Sequence, residues 1–118
     1  MKYNALGRTG IKVSDLCLGT MMFGGKSDEA ESFRMIDHAI DKGVNFIDTA
    51  DVYAANESER IVGKALANEN RREDIILATK FNFANPADRN AKGLSRRHVI
   101  NACEASLKRL KTDWIDLY

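Results

Sequence analysis

The sequence predicts an α/β fold with a parallel sheet, and three observations predict it. Short apolar runs start near Leu16, Asn45, Ile75 and Trp114, spaced 29, 30 and 39 residues apart, which fits right-handed βαβ units. Between the runs lie three stretches whose apolar residues recur at the helical period. At 118 residues the chain can bury one core and not two. Periodicity leaves two architectures open, an open doubly wound sheet and an unclosed part of a barrel.

The elements follow in order. Tyr3 to Leu6 and Ile11 to Val13 flank Gly7-Arg8-Thr9-Gly10, whose glycines suit a four-residue hairpin loop. Leu16-Cys17-Leu18, ending at Gly19-Thr20, reads as a strand buried on both faces. From Asp28 the period changes: Ala30, Phe33, Ile36 and Ile40 share a helical face, Asp28 with Glu31 makes a capping box, and Gly43 supplies the stop. Val44 to Ile47 is the next strand, followed by the polar stretch Asp48 to Asn56. A second helix carries Ile61, Val62, Ala65 and Leu66, with Asn56 and Glu59 as its expected cap. Ile75 to Thr79 is the clearest strand, and Lys80 ends it. An Asn-rich loop containing Pro86 leads to a third helix starting at Ser95, with Val99, Cys103, Leu107 and Leu110 expected to face inward. Lys108, Arg109 and Lys111 suit its dipole. Trp114 to Tyr118 reads as a fourth strand.

Composition removes several function classes. Eighteen Lys and Arg against seventeen Asp and Glu give a net charge of +1, with no footprint for nucleic acid or an anionic membrane. Arg71-Arg72 and Arg96-Arg97 are expected on solvated faces. No leader-like or membrane-spanning apolar stretch occurs, so no membrane partner is expected and the cytoplasm is the default location. Cys17 and Cys103 each fall in an apolar pattern and are expected as buried, reduced thiols. No Cys/His spacing suggests a metal.

In parallel α/β folds chemistry gathers where strands end. That rule selects Asp48, Lys80, the nearby Tyr53, and Gly19-Thr20-Met21 after the first strand. Taken singly, each has an ordinary explanation: a solvated lysine, a turn-capping aspartate, a tyrosine packing its ring. Together they have a specific use. A lysine ammonium beside a phenol favours phenolate, and a carboxylate beside the lysine holds that cation in place. The trio would make Tyr53 a general acid able to protonate a carbonyl oxygen.

Phe46-Ile47-Asp48-Thr49-Ala50-Asp51-Val52-Tyr53, continuing through Glu57-Ser58-Glu59 to Gly63-Lys64-Ala65-Leu66, resembles the signature of the aldo-keto reductase family. Leu18-Gly19-Thr20-Met21, Ala78-Thr79-Lys80 and the stretch from Ser106 to Tyr118 are similar to three further family segments in the same order. The resemblance implies the N-terminal part of a (β/α)8 TIM barrel, with a hairpin over residues 1–14 and βαβαβαβ over 15–118. It implies an oxidoreductase that reduces small aldehyde or ketone substrates with NADP(H), without metal. Tyr53 would be the proton donor, Lys80 the residue that tunes it and Asp48 the partner of Lys80. Gly19, Thr20, Met21 and Asp48 would lie beside the nicotinamide.

Two departures from the family pattern stand out. Ala54-Ala55-Asn56 follow Tyr53 where many members have a glycine. The family's fourth catalytic residue, a histidine, would fall beyond Tyr118, and neither His38 nor His98 is expected to replace it, both being structural or solvated. Gly24-Gly25 reads as loop flexibility rather than a phosphate cradle. The isolated chain is expected to be inactive and, with its strand edges open, to be marginal, to aggregate, or to be stabilised by self-association into something barrel-like. The alternative is a non-catalytic remnant or interaction module.

Overall fold

A computed structural model describes residues 1–83 and 88–118, with only the backbone described at 69 and 70. Pro86 lies outside the described residues. The hairpin pairs β1 (Tyr3–Ala5) with β2 (Lys12–Ser14), antiparallel, Asn4 opposite Val13. A parallel sheet follows in the order β3 (Leu18–Gly19), β4 (Phe46–Asp48), β5 (Ile76–Ala78). The helices are α1 (Glu29–Asp41), α2 (Glu57–Ala67) and α3 (Arg96–Leu110), with a tight turn at Tyr53–Asn56 and a 3₁₀ segment at Asn68–Asp74.

The helix ends follow from the sequence. Asp28 accepts the Glu31 amide at 2.8 Å and starts α1. Its end is a Schellman turn: the Gly43 amide bonds Ile40 O at 2.8 Å and the Val44 amide bonds Ala39 O at 2.9 Å, with Gly43 at φ 87°. Ser95 caps α3 through the His98 amide at 3.2 Å.

Strand alternation sends successive side chains to opposite faces. Leu18, Ile47 and Leu77 lie in one cross-strand row and pack under the helices with Ile36, Ile61, Val62, Leu66, Ile75 and Leu110. Each fully buried Ile or Leu here contributes about 1.5–3 kcal/mol relative to exposure. Cys17, Gly19, Phe46, Asp48 and Ile76 fall on the other face, which no described helix covers.

The hairpin is fastened where the parallel strands begin. Tyr3 donates its hydroxyl to Gly43 O at 2.8 Å, and Asn45 joins Ser14 N and Lys12 O. It therefore sits at the opposite end of the sheet from Asp48 and Lys80.

Several expectations are corrected. Leu16-Cys17-Leu18 is not buried on both faces: Leu16 is 61% exposed, Cys17 is exposed and Leu18 half-buried. Pairing begins only at Leu18, and Cys17 lies on the uncovered face. Both cysteines are free thiols. Trp114 to Tyr118 makes one parallel bridge, Ala78 to Leu117, rather than a strand. Asp116 explains this, because its carboxylate, held by Arg72, takes the Leu77 N–H at 2.9 Å in place of a ladder carbonyl.

Arg72 is not solvated. It is 9% exposed, bonds Ile75 O and Trp114 O, and lies 4.3 Å from the Trp114 ring centroid. Arg71 pairs with Asp37. The buried stripe of α3 is His98, Ala102, Ser106 and Leu110, while Val99, Cys103 and Leu107 are half-buried. Ala30 is exposed.

Asn56 and Glu59 do not cap α2. Asn56 donates instead to Asp51 O, and Glu59 is turned inward. Ala54, Ala55 and Asn56 have φ of 48°, 52° and 76°, a left-handed run that costs an L residue roughly 1–2 kcal/mol at each alanine. Ala55→Gly is expected to stabilise the chain by about 1 kcal/mol, read as a melting temperature higher by about 4 °C. An unchanged or lower value would show that the turn relaxes at no cost.

Candidate functional site

The ends of the three parallel strands meet on the uncovered face. Register places Gly19 beside Asp48 and Asp48 beside Ala78, with Lys80 two residues further along the last strand. Lys80 Nζ donates to both Asp48 oxygens, at 2.8 and 2.7 Å, and to Thr49 O at 2.6 Å. These contacts fix the ammonium group over the strand ends. The same Nζ lies 4.9 Å from the Tyr53 ring centroid. The structure thus brings Asp48, Lys80 and Tyr53 together.

Partial burial would lower the pKa of Lys80, but the Asp48 carboxylate it donates to and the neighbouring Tyr53 outweigh this and hold it above the ordinary lysine value. The Lys80 side chain is half exposed, so solvent screens the pair and its effect on stability is small. What the pair fixes is position.

Gly19 and Met21 are exposed beside this cluster, and a side chain at Gly19 would meet nothing within 4 Å. That leaves open space next to Asp48. Thr20 is different: it is fully buried, and its hydroxyl is committed to Asp48 O at 3.0 Å and to Ser58 at 2.8 Å. Thr49 also reaches Ser58, at 3.0 Å, and Thr79 donates to Glu59 at 2.6 Å. Glu59 is fully buried and accepts a second bond from Arg109 at 2.5 Å. None of these anchoring roles was read from the sequence. The available signal was a threonine recurring two residues after an aliphatic residue at each strand end, in Leu-Gly-Thr, Ile-Asp-Thr and Leu-Ala-Thr.

His38 is exposed. His98 is buried in the α3 stripe, edge-on to Phe81 at 5.4 Å. Among the described residues no cluster of His, Cys, Asp and Glu could hold a metal, and no helix is long and apolar enough to cross a membrane.

The resolved shifts in this region point one way. Lys80 is raised as described. Partial desolvation of its thiol and Asp48 raise Cys17 against the effect of Lys80, and partial desolvation with the charges of Cys103, Asp51 and Glu59 raises Tyr118 against that of Arg109. A group that holds its proton more tightly when folded contributes stability below its unfolded pKa and loses it as pH rises through the folded one. With unfolded values of about 8.5 to 10.4 for these groups, the melting temperature is expected to fall between about pH 8 and pH 11. Tyr118→Phe should lessen that fall. A flat profile over this range would contradict the assignment.

The family model described as the Aldo/keto reductase family matches residues 15–118. The uncharacterized oxidoreductase YrpG of Bacillus subtilis (strain 168) is 46% identical over 127 residues, covering 100% of this chain and 39% of that protein. A probable voltage-gated potassium channel subunit beta from Arabidopsis thaliana is 42% identical, covering 99% of this chain and 36% of that protein. The solved structure of aldo-keto reductase AKR11C1 from Bacillus halodurans, in its holo form, matches with a TM-score of 0.87 at 40% identity, over 100% of this chain and 39% of that one. The chain therefore spans no more than 39% of the length of these relatives. At such likeness the choice left by periodicity is made: the sheet is part of an α/β barrel.

Proposed function

The chain belongs to the aldo/keto reductase family, and from that premise we propose that it carries the proton-delivering part of a site that reduces aldehydes or ketones with NADPH. The supporting observation is the Lys80 ammonium held on both oxygens of Asp48 with the Tyr53 ring against it. In this reading residues 1–14 and 15–118 form the first part of one barrel domain.

Each residue has a role set by its placement. Asp48 fixes the position of the Lys80 cation. Lys80 places positive charge beside Tyr53, which stabilises the negative charge that grows on the phenol oxygen as its proton leaves. Tyr53 gives that proton to the carbonyl oxygen of the substrate. Gly19 and Met21 leave room for the nicotinamide beside Asp48, while Thr20 shapes that segment through its backbone. NADPH, when bound, supplies the hydride.

Titration of the chain with NADPH, followed by the emission of the nucleotide, tests the reading. Trp114 is a poor reporter, since it stands against Arg72 where the strands begin. Saturable binding that Gly19→Val abolishes is expected. Gly19→Val binding as tightly as the parent chain would remove the nucleotide from this face. In any assembly that shows turnover, Tyr53→Phe and Lys80→Met are each expected to lower it by about 10²–10⁴-fold, the usual worth of a positioned proton donor. Turnover unchanged by Tyr53→Phe would assign the proton to another group. Solution mass measured alongside separates this reading from the alternative, a non-catalytic remnant or interaction module whose copies join through open strand edges without binding nucleotide.

A further inference from the structure

The three strand ends are anchored from behind by two consecutive residues. Pairing aligns Leu18 with Ile47 and Leu77, then Gly19 with Asp48 and Ala78. The next residue on each strand is a threonine: Thr20, Thr49 and Thr79. All three are at most 2% exposed, and all three hydroxyls end on the first turn of α2. Ser58 Oγ meets Thr20 Oγ1 and Thr49 Oγ1 and donates to Thr20 O at 2.8 Å. Glu59 Oε1 accepts from Thr79. Ser58 and Glu59 are themselves fully buried.

We propose that Ser58 and Glu59 are positioning residues that hold Gly19, Asp48 and Lys80 in register, acting through the row Thr20, Thr49 and Thr79. Valine would fill the space of each threonine, so packing alone does not call for hydroxyls here. Buried hydroxyls are costly without partners, and their bonds are directional. An apolar row would let α2 slide over the sheet, whereas this one fixes a single docking. Because side chains alternate along a strand, locking each threonine on the helix side orients its neighbour on the uncovered side. Thr79 precedes Lys80, and Thr20 and Thr49 follow Gly19 and Asp48. The meaning of this register rests on the proposed reaction.

The test compares Thr79→Val with Thr79→Ser by the rate at which an amine-reactive acylating reagent modifies Lys80, resolved by peptide mass spectrometry against exposed Lys42 and Lys108 at fixed alkaline pH. The valine variant is expected to speed Lys80 modification by at least about threefold, the change that half a pKa unit gives, with Lys42 and Lys108 unmoved. The serine variant is expected to restore the parent rate. A folded valine variant with the parent rate at Lys80 overturns the proposal.

Should valine raise all lysines together, by unfolding the chain, hydrogen exchange on the unmodified chain decides. The amides of Thr20, Thr49 and Thr79, bonded to Asp48 O, Ala78 O and Leu117 O, should then open together with the Ile61 and Val62 amides of α2. Opening of α2 while the threonine amides stay protected also overturns the proposal. Both measurements use the chain without NADPH or a carbonyl compound, so their outcome is independent of whether that reaction occurs.

Discussion

Arg109→Leu is expected to lower the unfolding free energy by about 3–5 kcal/mol, the cost of leaving a buried charge without its partner. Glu59 is fully buried, and Arg109 is the cation that meets its Oε2 while also reaching Ser106 at 3.1 Å. A domain of this size has about 5–15 kcal/mol in total, so the variant should be close to unfolding at room temperature. Urea denaturation measures this directly. Adding Glu59→Gln should recover most of the loss, because the amide is neutral and still accepts the Thr79 hydroxyl. A single-variant loss under about 1 kcal/mol, the value of an exposed pair, would mean that solvent reaches Glu59.

Gly63→Ala should also be strongly destabilising, although intrinsic propensity argues the reverse. Within a helix, alanine is favoured over glycine by about 1 kcal/mol. At Gly63, however, a Cβ would lie 2.5 Å from Arg109 O and 2.6 Å from the Leu110 backbone. Backbone atoms cannot swing aside, so α2 and α3 would have to separate and loosen the core around Val62 and Leu110. Overpacking of this kind costs about 1–3 kcal/mol and sometimes more, which exceeds the propensity gain. A fall in melting temperature of about 10 °C is expected. A rise would show that the two helices part freely.

Much of the architecture was legible in local signals. Asp28, Gly43 and Ser95 marked helix ends because capping is decided within four residues, and the structure places all three as read. The end-of-strand rule found Asp48 and Lys80, since register alone brings those positions together. What escaped depends on distant partners. Asn56 and Glu59 match a capping box, yet Arg109, fifty residues on, and Thr79 claim the Glu59 carboxylate. The α3 face was misplaced because it buries small and polar residues, Ala102 and Ser106, that carry little apolar signal. The last apolar run, Trp114 to Tyr118, reads as a strand by composition, but the Asp116 side chain intervenes in its ladder.

The alternation along the strand ends separates two kinds of selection. In Gly19-Thr20, Asp48-Thr49 and Thr79-Lys80 one letter faces the open side and its neighbour faces α2. Under the proposed function, a substitution in the first set bears on the handling of nucleotide and substrate and leaves the scaffold's fastening untouched, whereas one in the second set shifts all three strand ends at once. On that reading, libraries that aim to change what this framework takes should randomise Met21 while keeping Gly19, Asp48, Tyr53, Lys80 and the threonines fixed. On the same reading, chains built on this framework can diverge in what they take while remaining superimposable in backbone.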